Sequence, residues 1–182
     1  ALFRKWLSAQ GIPIHKDGNG VPVEYPCKKM VNGAVIAGGR VEIAILQPFG
    51  EAGNYLIDLT VGNPTAPSNL PATCRAAKNA QGQRLGALKT ATRLEAAKQK
   101  LYAPCAVSPD SFYPAALETT GAYGPGLRKV LTMLKTHLLQ RFPKHVVAQR
   151  LWNLKTRMAT QLQKLNANMF IRHARNQCPN IP

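Results

Sequence analysis

Arg40-Val41-Glu42-Ile43-Ala44-Ile45-Leu46 and, after a break carrying Pro48, Gly50, Gly53 and Asn54, Tyr55-Leu56-Ile57-Asp58-Leu59-Thr60-Val61 are two short runs rich in β-branched and aliphatic residues. Such runs separated by turn-forming residues read as two strands joined by a tight connection. Paired antiparallel about a midpoint near Gly50, they set Glu42 almost opposite Asp58, and opposite residues in such a pair share a face. Two like charges side by side repel, so the arrangement calls for a cation, a shared proton or a basic side chain. A divalent metal held by carboxylate oxygens is one such compensation. The alternative is that one acid faces solvent or pairs with Arg40.

Outward from this pair the pattern alternates between strand and helix. Leu2, Phe3, Trp6 and Leu7 fall at helical spacing and are closed by Gly11 and Pro13, which predicts a short amphipathic helix. Residues 15–33, broken by Gly18, Gly20, Pro22, Pro26 and Gly33, read as loop with one brief strand at most, and Ala34 to Ala37 lead into the first central strand. Beyond Val61, Gly62-Asn63-Pro64-Thr65-Ala66-Pro67-Ser68-Asn69 is a turn-rich loop. The span 84–102 reads as a helix with Ala87, Ala91, Leu94, Lys98 and Leu101/Tyr102 on one side; Lys98 and Tyr102, four apart, share a face. Ser111 to Leu117 reads as a strand whose Pro114 argues for an edge or a bulge.

Gly124-Pro125-Gly126 then precedes a helix with Leu127, Val130, Leu131, Leu134 and Leu138, stopped near Phe142-Pro143. Last comes an apolar stripe, Val147, Leu151, Leu154, Met158, Leu162, Leu165 and Met169, which predicts a long helix over about 145–173. The fold expected is α/β (α+β): a small mixed sheet containing 40–46, 55–61 and 111–117, flanked by the 84–102 helix, with a C-terminal pair of helices. A first domain over 1–122 and a basic helical extension over 123–182 are the expected division.

Charge is the strongest compositional signal, with 24 Lys/Arg against 8 Asp/Glu and a net charge of +16. It is lopsided. Residues 1–70 hold six basic and five acidic side chains, residues 71–182 eighteen and three. A positive field of that size favours a polyanion, nucleic acid before a lipid surface. No apolar run approaches the ~18 residues of a membrane span, and the start of the chain lacks the apolar core of a secretory signal. Cys27, Cys74, Cys105 and Cys178 are far apart and form no zinc-site spacing with His15, His137, His145 or His173, so free thiols in a reducing compartment are expected.

Four segments taken in order carry a resemblance: Arg40-Val41-Glu42; Asp58-Leu59-Thr60-Val61-Gly62-Asn63-Pro64-Thr65-Ala66-Pro67-Ser68; Glu95-Ala96-Ala97-Lys98-Gln99-Lys100-Leu101-Tyr102; and Phe112-Tyr113-Pro114-Ala115-Ala116-Leu117-Glu118-Thr119-Thr120-Gly121. Over about residues 30–140 they resemble the restriction-endonuclease-like region that follows the reverse transcriptase of non-LTR retrotransposons. The resemblance implies a PD-(D/E)xK-type nuclease site in which Glu42 takes the place of the first acid, Asp58 the second, and Lys98 with Tyr102 the helical pair. In such a site two carboxylates hold Mg²⁺, which polarises the scissile phosphate, while a lysine stabilises developing charge. Val41 stands where the family has proline and Glu42 where it has aspartate, so the expected fold is a degenerate, freestanding version of that nuclease.

Two functions follow. The first is a non-catalytic, RNA-binding structural component of a large ribonucleoprotein, such as a subunit of an organellar ribosome, with no cofactor, neighbouring proteins as further partners and the mitochondrion favoured over the nucleus. The second is a metal-dependent endonuclease cleaving DNA, with Glu42 and Asp58 as metal ligands. Under either, the expected nucleic-acid contacts are Arg40, Lys89, Arg93, Lys100, Arg128, Lys129, Arg150, Lys155, Arg157, Lys164, Arg172 and Arg175, of which Arg150, Arg157 and Lys164 form a row seven apart on the last helix.

Overall fold

The structure is a computed structural model that describes residues 2–31, 34–46, 54–64, 66, 89–103, 105 and 111–177. Its elements in order are α1 (Leu2–Ala9), β1 (Tyr25–Val31), β2 (Ala34–Val41), β3 (Ile43–Leu46), β4 (Asn54–Gly62), α2 (Lys89–Tyr102), β5 (Phe112–Glu118), α3 (Pro125–Arg141) and α4 (Lys144–Gln177). The connection over 47–53, the start of the predicted 84–102 helix, Cys74 and Cys178 lie outside the described residues.

The central sheet runs β3-β4-β5. β3 pairs antiparallel with β4 from Ile43 opposite Ile57 to Leu46 opposite Asn54. β4 and β5 are parallel, from Leu56 beside Phe112 to Gly62 beside Glu118, with α2 in the crossover between them. The predicted strand 40–46 is divided at Glu42: β2 ends at Val41 and pairs with β1 in a separate antiparallel hairpin, bulged between Cys27 and Lys28. That hairpin is also where loop was expected, since β1 is a seven-residue strand despite Pro26. Residues 13–15 cover the free edge of β3, Ile14 bridging Ile45 and the His15 N–H donating to the Ala44 carbonyl at 2.9 Å. β5 is the other edge strand, which is where a proline such as Pro114 is tolerated.

Alternation along the strands sends odd and even residues to two clusters. Ile43, Ile45, Ile57, Ala115 and Leu117 join the larger one, with Phe3, Trp6 and Leu7 of α1, five buried residues of α3 and five of the α4 stripe from Val147 to Leu162. The smaller cluster holds Cys27, Val41, Ala44, Leu56, Tyr102, Cys105 and Phe112. Residues after 122 therefore bury their apolar faces in the core that α1 and the sheet build. Leu165 and Met169 continue the stripe but are each 50% exposed, and Leu165 lines an open cavity with Thr60, Val61 and Leu117 of the sheet. Pro125 at the first turn of α3 needs no N–H partner there, and an extended Phe142 before Pro143 ends that helix. No helix among the described residues is long and apolar enough to cross a membrane.

Candidate functional site

Asp58 lies mid-β4 on the face of the smaller cluster, and its side chain is almost wholly buried. A buried carboxylate needs a partner, and α2 crosses where it supplies one: Lys98 Nζ stands 2.8 Å from Asp58 Oδ2. One turn further, the Tyr102 hydroxyl donates to the Arg40 carbonyl at 2.7 Å, and its ring packs on Phe112 at 4.8 Å. Tyr102 thus fastens α2 to the end of β2. Burial, followed by the Asp58 charge, pushes the Tyr102 phenol up to about 12. Burial, then Cys105 and Asp58, push the Cys27 thiol up to about 11, so neither group ionises at neutral pH and Cys27 is no nucleophile there.

Glu42 stands at a break in the strand. The β3–β4 register, extended by one residue, sets it opposite Asp58, but the chain bends at that residue. Val41 consequently belongs to the smaller cluster and Ile43 to the larger, and Glu42 lines a cavity of about 300 Å³ with Phe3, Leu59, Met158 and Leu162, side chains of the larger cluster. Lys98 thus pairs with Asp58 one helical turn from Tyr102, while Glu42 lines the cavity at the break between β2 and β3. Asp58 is engaged by Lys98, and among the described residues no group of three or more His, Cys, Asp or Glu side chains could hold a metal ion.

Two further buried acids have defined roles. Glu95 of α2 accepts from the Ala116 N–H of β5 through Oε1 and from the Gly126 N–H, in the first turn of α3, through Oε2, both at 2.9 Å. Glu118, at the end of β5, accepts from the Ala91 N–H in the first turn of α2 at 3.2 Å. Each carboxylate thus sits at a helix N-terminus, where unpaired N–H groups and the helix dipole favour negative charge. Space at the first site is tight: a Cβ on Gly124 would stand 2.2 Å from Glu95 Oε1, and one on Gly126 1.9 Å from the Pro114 carbonyl oxygen. Sequence reasoning quoted both acids without giving them a role. A signal existed, since Ala91, Glu95, Lys98 and Tyr102 step by four, three and four, which puts Glu95 on the inward stripe of α2.

The expected nucleic-acid contacts divide by environment. Arg150 is half-buried, its guanidinium 3.9 Å from the centre of the Phe142 ring and hydrogen-bonded to Gln10 Oε1. Arg128 Nε donates to the Tyr123 carbonyl at 3.1 Å, and Lys129 sits 5.0 Å over the Tyr113 ring; both side chains reach solvent. Arg40, Arg93, Lys100, Lys155, Arg157, Lys164 and Arg172 are exposed. Lys89 and Arg175 lie near the ends of α2 and α4, and their side chains are outside what is described. No Asp or Glu follows Glu118, so the eleven Lys and Arg of residues 119–182 have no acid of their own segment to pair with.

Comparison of the chain with known protein families, with curated proteins and with solved structures gives no match.

Proposed function

We propose that this protein binds RNA through the phosphate backbone and serves as a non-catalytic structural part of a large ribonucleoprotein, an organellar ribosome being the leading assembly. The observation that carries the reading is the acid-free segment after Glu118, whose α3 and α4 expose Arg128, Lys129, Lys155, Arg157, Lys164 and Arg172 while their apolar residues from Leu127 to Leu138 and from Val147 to Leu162 are buried in the core. Exposed cations on a rigid helix pair meet phosphates at little conformational cost. The occupation of Asp58 by Lys98 supports a structural role for the retained acid.

Each phosphate contact on duplex contributes a slope of about −0.9 in log K against log salt, and about −0.7 on single strands. Affinity measured at several salt concentrations is expected to fall steeply, and replacing Arg157, Lys164 and Arg172 by Ala together is expected to flatten the slope by about two units or more on either substrate. A flat dependence in the wild type ends the reading. The endonuclease is the second reading, favoured by Asp58, Lys98 and Tyr102 lying together. Incubation with Mg²⁺ or Mn²⁺ is expected to leave DNA and RNA intact; cleavage that disappears in Asp58→Ala replaces the first reading with the second.

A further inference from the structure

Where β4 and β5 begin, a cleft of about 600 Å³ opens beside α3, and among its lining residues are Tyr55, Lys129, Thr132, Thr136, His137 and Gln140. Its size falls in the range of small-molecule sites, about 300–1,000 Å³. One wall is aromatic. The half-buried Tyr55 ring stands edge-on to the buried Tyr113, 5.4 Å between centroids, so its orientation is fixed from below. Lys129, with its ammonium over the same Tyr113 ring, brings a positive charge to the mouth.

The opposite wall is polar and regular. Thr132, Thr136 and Gln140 follow one another at four-residue intervals, so they lie along one line on α3, and all three are exposed. The Thr136 hydroxyl already donates to the Thr132 carbonyl at 3.2 Å, which leaves it as an acceptor toward the cleft. Gln140 offers a donor and an acceptor, and His137, pulled below its ordinary value by burial and then by Arg141, is a neutral ring rather than a second cation. A flat aromatic surface, one cation and a row of hydrogen-bonding groups is the combination that proteins use to hold an unstacked nucleobase.

We propose that this cleft takes one unstacked base of a single-stranded polynucleotide, its face on Tyr55, its polar edge along Thr132, Thr136 and Gln140, and its phosphate at Lys129. The inference rests on the nucleic-acid reading above and adds to it a preference for single strands, because a base inside a duplex has both faces covered and cannot stack on Tyr55. Because the base is held by its face on Tyr55, the larger ring system of adenine is favoured over uracil through stacking.

The test is the binding of the full chain to labelled twelve-nucleotide oligo(A), oligo(U) and an RNA duplex of the same length, with Tyr55→Leu, Tyr55→Phe, Thr136→Val, Gln140→Ala and Lys129→Ala variants. Tyr55→Leu is expected to weaken oligo(A) binding about tenfold and leave the duplex unchanged, and Tyr55→Phe to retain wild-type affinity. Thr136→Val and Gln140→Ala should each weaken oligo(A) binding severalfold, Tyr55→Leu should narrow the gap between oligo(A) and oligo(U), and Lys129→Ala should remove about one phosphate contact from the salt slope. Wild-type binding to oligo(A) by the Tyr55→Leu, Thr136→Val and Gln140→Ala variants overturns the cleft while leaving phosphate binding intact. Should Tyr55→Leu fail to fold, the two exposed positions Thr136 and Gln140 decide. A wild-type chain that binds none of the three substrates overturns both readings.

Discussion

The sheet with α2 and the α3–α4 pair use charge in opposite ways. In the first region buried acids are bound into the fold: Asp58 pairs with Lys98, Glu95 joins β5 to the start of α3, and Glu118 holds the start of α2. In the second there is no acid at all, and most of the basic side chains point to water. A buried carboxylate removed from its partners costs stability, whereas an exposed cation removed from a helix costs little and is missed only by what binds it. The contrast teaches that the buried acids of this chain, with Lys98, bear on folding, whereas the exposed cations of α3 and α4 are free of that role, and mutations can test whether they serve the proposed recognition.

The largest effect is expected at Glu95. Replacing it with Ala leaves the N–H groups of Ala116 and Gly126 without their acceptor, and a loss of about 3 kcal/mol in denaturant unfolding is expected. Gly126→Ala should cost a comparable amount, since its Cβ would meet backbone at Pro114 rather than a side chain able to turn aside. A loss below about 1 kcal/mol for both would place the join between α2, β5 and α3 elsewhere.

Next comes the ion pair, where an asymmetry is expected. Lys98 is 31% exposed and can reach water when Asp58 is neutralised, so Asp58→Asn should cost only about 1 kcal/mol. Lys98→Met leaves Asp58, 8% exposed, charged and unpaired, and should cost about 2–3 kcal/mol. Equal losses in urea melts would contradict the buried position of Asp58.

Arg150 tests the boundary between the two regions. It belongs to the row predicted for binding, yet it stacks on Phe142 and bonds to Gln10, so Arg150→Ala should cost about 1 kcal/mol of stability. The smallest effect closes the series: the triple change of Arg157, Lys164 and Arg172 to Ala should leave stability within about 0.5 kcal/mol while it flattens the salt dependence of binding. A destabilised triple variant would mean that these cations also serve the fold.

Much of the architecture was legible. The strands 55–61 and 111–117, the stop at Phe142-Pro143 and the stripe from Val147 are local patterns of period two or about 3.6, and the core selects for them directly. The β3–β4 register was legible as well, because alternation and a short connection leave few ways to pair the two runs. β1 was not, since Pro26 and the flanking glycines resemble a loop and only pairing with β2 makes the segment a strand.

Sequence by itself determined the inventory: where the apolar stripes lie, that charge is lopsided, and that no carboxylate follows residue 118. Tertiary structure alone decided how each charged side chain is used. Alternation breaks at Glu42, so that Val41 joins the smaller cluster and Ile43 the larger, a break that the local pattern does not mark. Arg150 and Lys164 look alike in the row, but Arg150 meets Gln10, 140 positions earlier, and Lys164 meets water. Glu95 finds its acceptor role through residues 21 and 31 positions away. Period and composition act over a few residues, whereas the partner of a buried charge is set by which distant backbone the fold brings within about 3 Å.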